Sequence, residues 1–140
     1  NLTAVENVEL PLIYRGVSRS VRQELSREAL KKVGLEHRMD HKPSEMSGGQ
    51  QQRVAIARAI AQAPPVILAD EPTGNLDSNS TKEIMDILKG LHNEGRTVIL
   101  ITHDNDIAAQ AKRVIKITDG KVESDSGQIV PVEELQTAGA

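Results

Sequence analysis

The chain has 140 residues, 38% hydrophobic and 26% charged, which suits one globular domain with a modest core. Its net charge is -3, acidic and basic residues are interleaved, and one Tyr is its only aromatic residue, so nothing predicts a nucleic-acid surface. No apolar run approaches the roughly 20 residues that span a bilayer, and the lack of Cys excludes disulfides and thiolate metal sites.

The opening third of the chain is expected to be helical. Thr3 and Glu6 have capping-box spacing, and the helix they start should end or bend at Pro11. A second helix is predicted to begin at Ser20 and to stop at Gly34. Its apolar face would consist of Val21, Leu25, Ala29 and Val33.

A polar connection over residues 37–45 leads to a third predicted helix, over residues 49–62. The tetrapeptide Ser47-Gly48-Gly49-Gln50 lies at the amino-terminal end of this helix. Glycines let a phosphate approach the backbone, and the exposed N–H groups at the positive end of a helix favour an anion. A loop followed by an ordinary helix cap is the structural alternative, because the tetrapeptide alone is only moderately specific.

Residues 66–69 form a short apolar run that predicts a strand buried on both faces, and Asp70 and Glu71 follow it directly. A carboxylate at such a strand end can hold Mg²⁺, often through water, while its neighbour orients or deprotonates an attacking water. Acidic residues are also common in turns, and that interpretation would be favoured if the pair stood alone.

The chain then alternates between helix and strand. Ser80 and Glu83 form another capping-box signal, and the helix should reach Gly95. A second buried strand over residues 97–102, a helix over residues 104–112 and a third strand over residues 114–117 are predicted next. This order implies parallel strands joined by right-handed crossovers.

Parallel order would bring His103, after the second strand, beside Glu71 at one edge of the sheet. A lone His at such a place is more often structural than functional. Asp77, between the acidic pair and the next helix, has the spacing of a helix cap, which is the plainer interpretation. Asp119-Gly120 has the signature of a type I′ turn that leads to a short strand over residues 121–124, and an exposed tail is expected from Pro131.

Together these motifs resemble those of the ATP-binding subunit of an ATP-binding cassette (ABC) transporter, in the family's order. Ser47 to Gln50 looks like the signature motif, residues 66–70 the Walker B strand, Glu71 the catalytic glutamate, residues 75–77 the D-loop, and His103 the switch histidine. Met46 stands where Leu is usual. Residues 7–12 and 71–77 are similar to the lipoprotein-release and macrolide-export branch.

The resemblance implies an α/β fold, the parallel-sheet core of a P-loop NTPase of the ABC ATPase type, with a helical subdomain. Residues 1–62 would form the helical subdomain with the signature motif and its helix. Residues 63–124 would form part of the catalytic core, and residues 125–140 a carboxy-terminal tail.

The 140 residues contain no G-x-x-x-x-G-K-[ST] loop, which in this family cradles the phosphates and supplies a lysine. In the family this Walker A loop and the Q-loop precede the point where the chain starts. We therefore expect the amino-terminal strands of the sheet to be missing and the parent gene to encode a Walker A lysine upstream of Asn1. The isolated chain is expected to bind ATP weakly or not at all and to be inactive.

The resemblance also implies a mechanism in which two subunits pair head to tail around ATP and Mg²⁺. Ser47, Gly48, Gly49 and Gln50 would contact a nucleotide held mainly by the second subunit, and Asp77 would belong to the nucleotide site. Asp70 would hold Mg²⁺ through water, Glu71 would polarise the attacking water, and His103 would contact the γ-phosphate. Charge stabilisation of this kind is a large part of phosphoryl-transfer catalysis.

The expected partners are a second ATPase subunit and a transmembrane permease, with no nucleic acid. The expected location is the cytoplasmic inner face of the cell membrane, reached through the permease. A non-transport ABC ATPase and a catalytically inactive binding module are the alternatives.

Overall fold

The computed structural model describes residues 2–127, which form two compact units that divide between Ile101 and Thr102. Most of the tail predicted over residues 125–140 therefore lies outside the described residues, including everything from Pro131 onward. The predicted boundary between a helical subdomain and a catalytic core at residue 62 stays a prediction.

The first helix, α1 (Ala4–Tyr14), begins with the predicted capping box. The Thr3 hydroxyl accepts a hydrogen bond from the Glu6 N–H at 3.3 Å, and the Thr3 N–H donates to the Glu6 carboxylate at 2.8 Å. Of the two outcomes expected at Pro11, an end or a bend, the end does not occur, because the helix continues for one turn beyond it, and the bend stays a prediction. Pro11 lacks an N–H but keeps its carbonyl, which accepts from the Arg15 N–H at 3.2 Å.

The second helix, α2 (Arg19–Lys32), begins just before the predicted Ser20 and ends before Gly34, whose φ is 72°. Of the predicted apolar face, Ala29 and Val33 are buried, but Val21 and Leu25 are 46% and 37% exposed. The second half of the helix carries its buried residues, which are Ser26, Ala29 and Leu30. The first half is therefore more solvated than helical spacing predicted.

Two single turns of 3₁₀ helix, Glu36–Arg38 and Pro43–Glu45, occupy the polar connection before α3 (Gly48–Ile60). Helices α1, α2 and α3 pack against one another in pairs. The most deeply buried large side chains of this group are Val8, Leu12, Leu30, Val33 and Leu35.

Strands β1 (Val66–Asp70) and β2 (Thr97–Ile101) pair in parallel, from Val66 opposite Thr97 to Asp70 opposite Ile101. Helix α4 (Ser78–Asn93) makes the connection between them and packs on β2. The predicted parallel crossover is thus confirmed for these two strands.

Neither strand is buried on both faces, contrary to the prediction. Ile67 is 6% exposed, whereas Leu68, on the opposite face of the same strand, is 66% exposed. Ile99 and Ile101 of β2 are each 48% exposed. Successive side chains point to opposite faces, and within the described part of this unit only one face is well covered.

The second unit contains the short helix α5 (Asn105–Ala108) and the strands β3 (Ile115–Thr118) and β4 (Lys121–Asp125). The helix is shorter than the predicted residues 104–112, because Ile107 is its one buried apolar residue and gives it little to pack.

Strand β3 pairs antiparallel with β4, which confirms the predicted hairpin, while a parallel place for β3 beside the first two strands stays a prediction. The predicted turn explains the pairing, because Asp119 and Gly120 have φ of 50° and 73°, the two positive values that a type I′ turn requires.

Candidate functional site

The amino terminus of α3 presents several hydrogen-bond donors. Ser47 is its N-cap: its hydroxyl oxygen accepts from the Gln50 N–H at 3.2 Å, while the Gln50 side-chain oxygen accepts from the Ser47 N–H at 3.0 Å. This capping box leaves the Ser47 hydroxyl hydrogen and the Gln50 NH₂ group available. The N–H groups of Gly48 and Gly49 add two more donors, because the first residues of a helix have no intrahelical acceptor. The arrangement suits an anion such as a phosphate.

The two glycines of this turn have different surroundings. Gly48 is exposed, and a Cβ there would lie 3.4 Å from Leu76 Cδ2, an ordinary contact. Gly49 is buried, and a Cβ there would lie 2.6 Å from Ser80 Oγ and 2.8 Å from Ser80 Cβ. The close approach between helices therefore requires glycine at position 49, a reason that phosphate access alone did not reveal.

The acidic pair stands at the end of β1, where Asp70 is the exposed last residue of the strand. Glu71 follows with φ of 44°, a left-handed conformation that is unusual for Glu. Its N–H donates to the Ile101 carbonyl at 2.8 Å, and its own carbonyl accepts from the Gly74 N–H at 3.1 Å. The backbone thus turns sharply directly after β1, and strained residues of this kind cluster at functional sites.

Asp77 is the N-cap of α4, so the helix begins before the predicted Ser80–Glu83 capping box. Its carboxylate accepts from the N–H groups of Asn79 and Ser80 at 3.2 and 3.3 Å. Hydrogen bonds from Ser80, first through its side chain and then through its backbone, hold the pKa of Asp77 below its ordinary value. The plainer interpretation of Asp77 as a cap is confirmed, and its role at a nucleotide stays a prediction.

His103 belongs to the second unit and lies two residues after the end of β2. The next residue, Asp104, caps α5 by accepting from the Asp106 N–H at 2.8 Å. The expected proximity of His103 to Glu71 stays a prediction.

Asp70 is a carboxylate of the kind that Mg²⁺ accepts. No group of three or more His, Asp or Glu side chains that could hold a metal ion occurs within residues 2–127. Mg²⁺ keeps several of its waters and is commonly held by one or two carboxylates together with substrate phosphates. A single strand-end carboxylate therefore fits such a site.

Sequence reasoning missed the residues that hold the first turn of α3 against α4. Arg53, on α3, lies with Nη2 3.5 Å from Oε2 of Glu83, on α4. Its Nη1 donates to the Val33 carbonyl at 3.3 Å. A signal was present, because Arg53 follows Gly49 by four residues and so shares its helix face, but the partner helix cannot be read from spacing.

Comparison with known proteins identifies a family and several relatives. The family model for ABC transporters matches residues 1–74. The macrolide export ATP-binding/permease protein MacB of Hyphomonas neptunium is 56% identical over 127 residues, covering 91% of this chain and 20% of that protein. The MacB protein of Hahella chejuensis is 50% identical over 140 residues, covering 100% of this chain and 21% of that protein. The chain thus spans about a fifth of the length of the curated relatives it matches.

Solved structures show the same likeness. The dimeric structure of MJ0796, a bacterial ABC transporter cassette, has a TM-score of 0.76 at 49% identity, covering 89% of this chain and 56% of that one. A post-hydrolysis state of MJ0796 bound to ADP and Pi has a TM-score of 0.74 at 48% identity over the same shares.

No helix in the described part of the chain is long and apolar enough to cross a membrane. The expected α/β fold of the ABC ATPase type is confirmed by the likeness to these cassettes. Because the family model matches more than half of the 140 residues, the chain belongs to the ABC transporter family.

Proposed function

We propose that these residues form part of the ATP-hydrolysing subunit of an ABC exporter, which couples hydrolysis to transport by a membrane permease. The observation that carries the proposal is the row of donors at the start of α3, whose capping box leaves hydrogen atoms and no carboxylate facing outward. The names of the relatives support export and a permease, and the ADP and Pi bound to one related cassette support ATP chemistry.

The signature residues would act on a nucleotide that is held mainly by a second subunit. Ser47, Gly48, Gly49 and Gln50 would donate hydrogen bonds to the γ-phosphate, where negative charge must be neutralised. The dimeric state of the related MJ0796 cassette supports a pair of subunits. The donors would then complete the partner's site rather than their own.

The acidic strand end would serve the nucleotide of its own subunit. Asp70 would hold Mg²⁺ through water, and the ion when bound neutralises charge on the phosphate oxygens. Glu71 would orient and polarise the attacking water, and His103 would contact the γ-phosphate. Asp77, already the cap of α4, would place the D-loop beside the nucleotide.

The permease would hold this subunit at the cytoplasmic face of the membrane. The ATP-binding/permease names of the relatives support this location.

The test is ATP hydrolysis by the purified full-length gene product that contains these residues. Replacing Glu71 with Gln keeps the size of the side chain but removes the carboxylate, so turnover should fall about 100-fold or more, the usual contribution of a general base. ATP-dependent association of two subunits, measured by sedimentation, should persist because the phosphate donors are intact.

Asp86→Asn is the matched control, because Asp86 is an exposed carboxylate in the middle of α4. It should hydrolyse ATP at the wild-type rate. A Glu71→Gln variant as active as this control would contradict the proposal.

A further inference from the structure

One face of α3 lies against one face of α4. Gly49 and Arg53 are four residues apart on α3, and Ser80 and Glu83 are three apart on α4, so each pair shares a helix face. Gly49 meets Ser80, and Arg53 meets Glu83. The contact therefore has two levels, both within about two turns of the helix starts.

The first level is steric. A Cβ at position 49 would overlap the Ser80 side chain, with distances of 2.6 Å to Oγ and 2.8 Å to Cβ. Ser80 cannot withdraw freely, because its backbone N–H donates to the cap residue Asp77 at 3.3 Å. The spacing between the two helix starts is thus set by the missing side chain of Gly49.

The second level is polar and ties three helices together. The Arg53 side chain is only 17% exposed, and its two terminal nitrogens point to different partners. One donates to the carbonyl of Val33, the residue that caps the carboxyl end of α2, and the other approaches Glu83. A planar guanidinium can hold both partners at once, whereas an ammonium group cannot do so in the same geometry.

This contact contributes little to the stability of α3. The buried apolar residues of α3 are Val54, Ile56, Ala57 and Ile60, all toward its carboxyl half. Glu83 is 53% exposed, and ion pairs with exposed partners stabilise folds only weakly. What the contact does fix is the amino-terminal half of α3, where the phosphate donors lie.

We propose that the Gly49–Ser80 contact and the Arg53–Glu83 pair position the signature donors relative to the segment that leads from Glu71 to α4. Arg53 is a positioning residue that touches no substrate. The device links the half site offered to a second subunit with the half site built around Glu71 in the same chain. This inference rests on the proposed function and names the residues that align its two halves.

The first test compares Glu83→Gln and Arg53→Lys with Glu94→Gln in the full-length gene product. Glu94 is a comparably exposed carboxylate just past the other end of α4, where it pairs with Lys32. Because a small misplacement of reacting groups is costly, Glu83→Gln should lower kcat about threefold to tenfold and Arg53→Lys about tenfold. In both variants, nucleotide affinity and the thermal midpoint of unfolding should stay near the wild-type values. Glu94→Gln should leave kcat, nucleotide affinity and the thermal midpoint unchanged.

The second test is a steric rescue. Gly49→Ala should lower ATP-dependent association and kcat about 100-fold, because the first turn of α3 is pushed away from α4. Adding Ser80→Gly removes both overlapping atoms and should restore about tenfold of that loss. Ser80→Gly alone gives the reference rate.

The outcomes separate the inference from the function on which it rests. A wild-type protein without ATP-dependent association or hydrolysis would remove the proposed function itself. An active wild type with Glu83→Gln equal to Glu94→Gln, and with Gly49→Ala no better when Ser80→Gly is added, overturns only the positioning device. A loss of kcat that simply follows a fall in the thermal midpoint also overturns it.

Discussion

Ser47 serves two purposes with one hydroxyl group. Its oxygen accepts the Gln50 N–H and so begins α3, while its hydrogen remains for an anion. The residue types at positions 47–50 were enough to predict this part of the candidate site, because capping and anion binding use local groups. The different surroundings of Gly48 and Gly49 could not be predicted, because Ser80, which approaches Gly49, lies 31 residues further along the chain.

A prediction at the scale of one residue concerns Ser26, which is fully buried on α2. Its hydroxyl has no hydrogen-bond partner among the residues that the structure describes. Because an unpaired buried hydroxyl destabilises a fold and Ala favours helix, Ser26→Ala should raise the free energy of unfolding by about 1 kcal/mol. Urea denaturation measures this difference.

Ser20→Ala is the matched control for Ser26, since Ser20 is an exposed serine of the same helix. It reports the helix preference alone, which is worth about 0.5 kcal/mol. A destabilised Ser26→Ala variant would show that the hydroxyl is held by a partner and that the reasoning is wrong.

At the scale of elements, local signals predicted which segments form helices and strands but not what covers them. The short apolar run at residues 66–69 predicts a strand buried on both faces, but such a run does not reveal whether neighbours cover one face or both. Two cap signals before α4, at Asp77 and Ser80, competed, and the first one starts the helix. Alternation predicted the β1–β2 crossover correctly, and the turn signal at Asp119-Gly120 predicted the hairpin of β3 and β4.

The hairpin supports a prediction about acid. Arg113 donates to both carboxylate oxygens of Asp125, at 3.0 and 2.6 Å, and the Gly127 N–H donates at 2.9 Å. The Arg113 hydrogen bonds first, and then that of Gly127, lower the pKa of Asp125 from 3.8 to about 2. Because the pKa is lowered by folding, this stabilisation is complete above pH 3.8 and is lost as the pH falls through about 2.

Amide hydrogen exchange in β3 and β4 should therefore accelerate as the pH falls from 3.8 to about 2, after correction for the intrinsic exchange rate. In the Asp125→Asn variant, these amides should exchange faster than in wild type above this pH range, and most of the pH dependence of exchange should be lost. A smaller pH dependence would remain because of Glu123, since hydrogen bonds from Thr118 and Lys116 also lower the pKa of its carboxyl. Equal acid dependence in Asp125→Asn and wild type would contradict the assignment.

At the scale of the whole molecule, each unit leaves apolar side chains exposed on its strands. In the first unit these are Val66, Leu68, Ile99 and Ile101, and in the second they are Ile115, Ile117 and Val122. Exposed apolar patches and open strand edges promote association. Composition could not predict this, because it reports how many apolar residues a chain has and not how many neighbours cover them.

We predict that the 140-residue chain self-associates when purified alone, as sedimentation velocity over a range of concentrations would show. Leu68→Lys should shift the population toward monomer, because it places a charge in the exposed face of the sheet. Ile13→Lys, on the exposed side of α1, is the control and should leave association unchanged. A monomer with one sharp thermal transition would contradict the prediction.

The donors at the start of α3 share a property that bears on regulation. None of these donors gains or loses a proton between about pH 5 and about pH 9. They are a serine hydroxyl, two backbone N–H groups and a glutamine amide. The hydrogen bonds that they donate to a phosphate therefore keep the same strength over the pH range of cells. Under the proposed function, any response of turnover to cellular pH would have to come from the ionisable side chains around the nucleotide or from the nucleotide itself. The donors of Ser47 to Gln50 would not contribute to it.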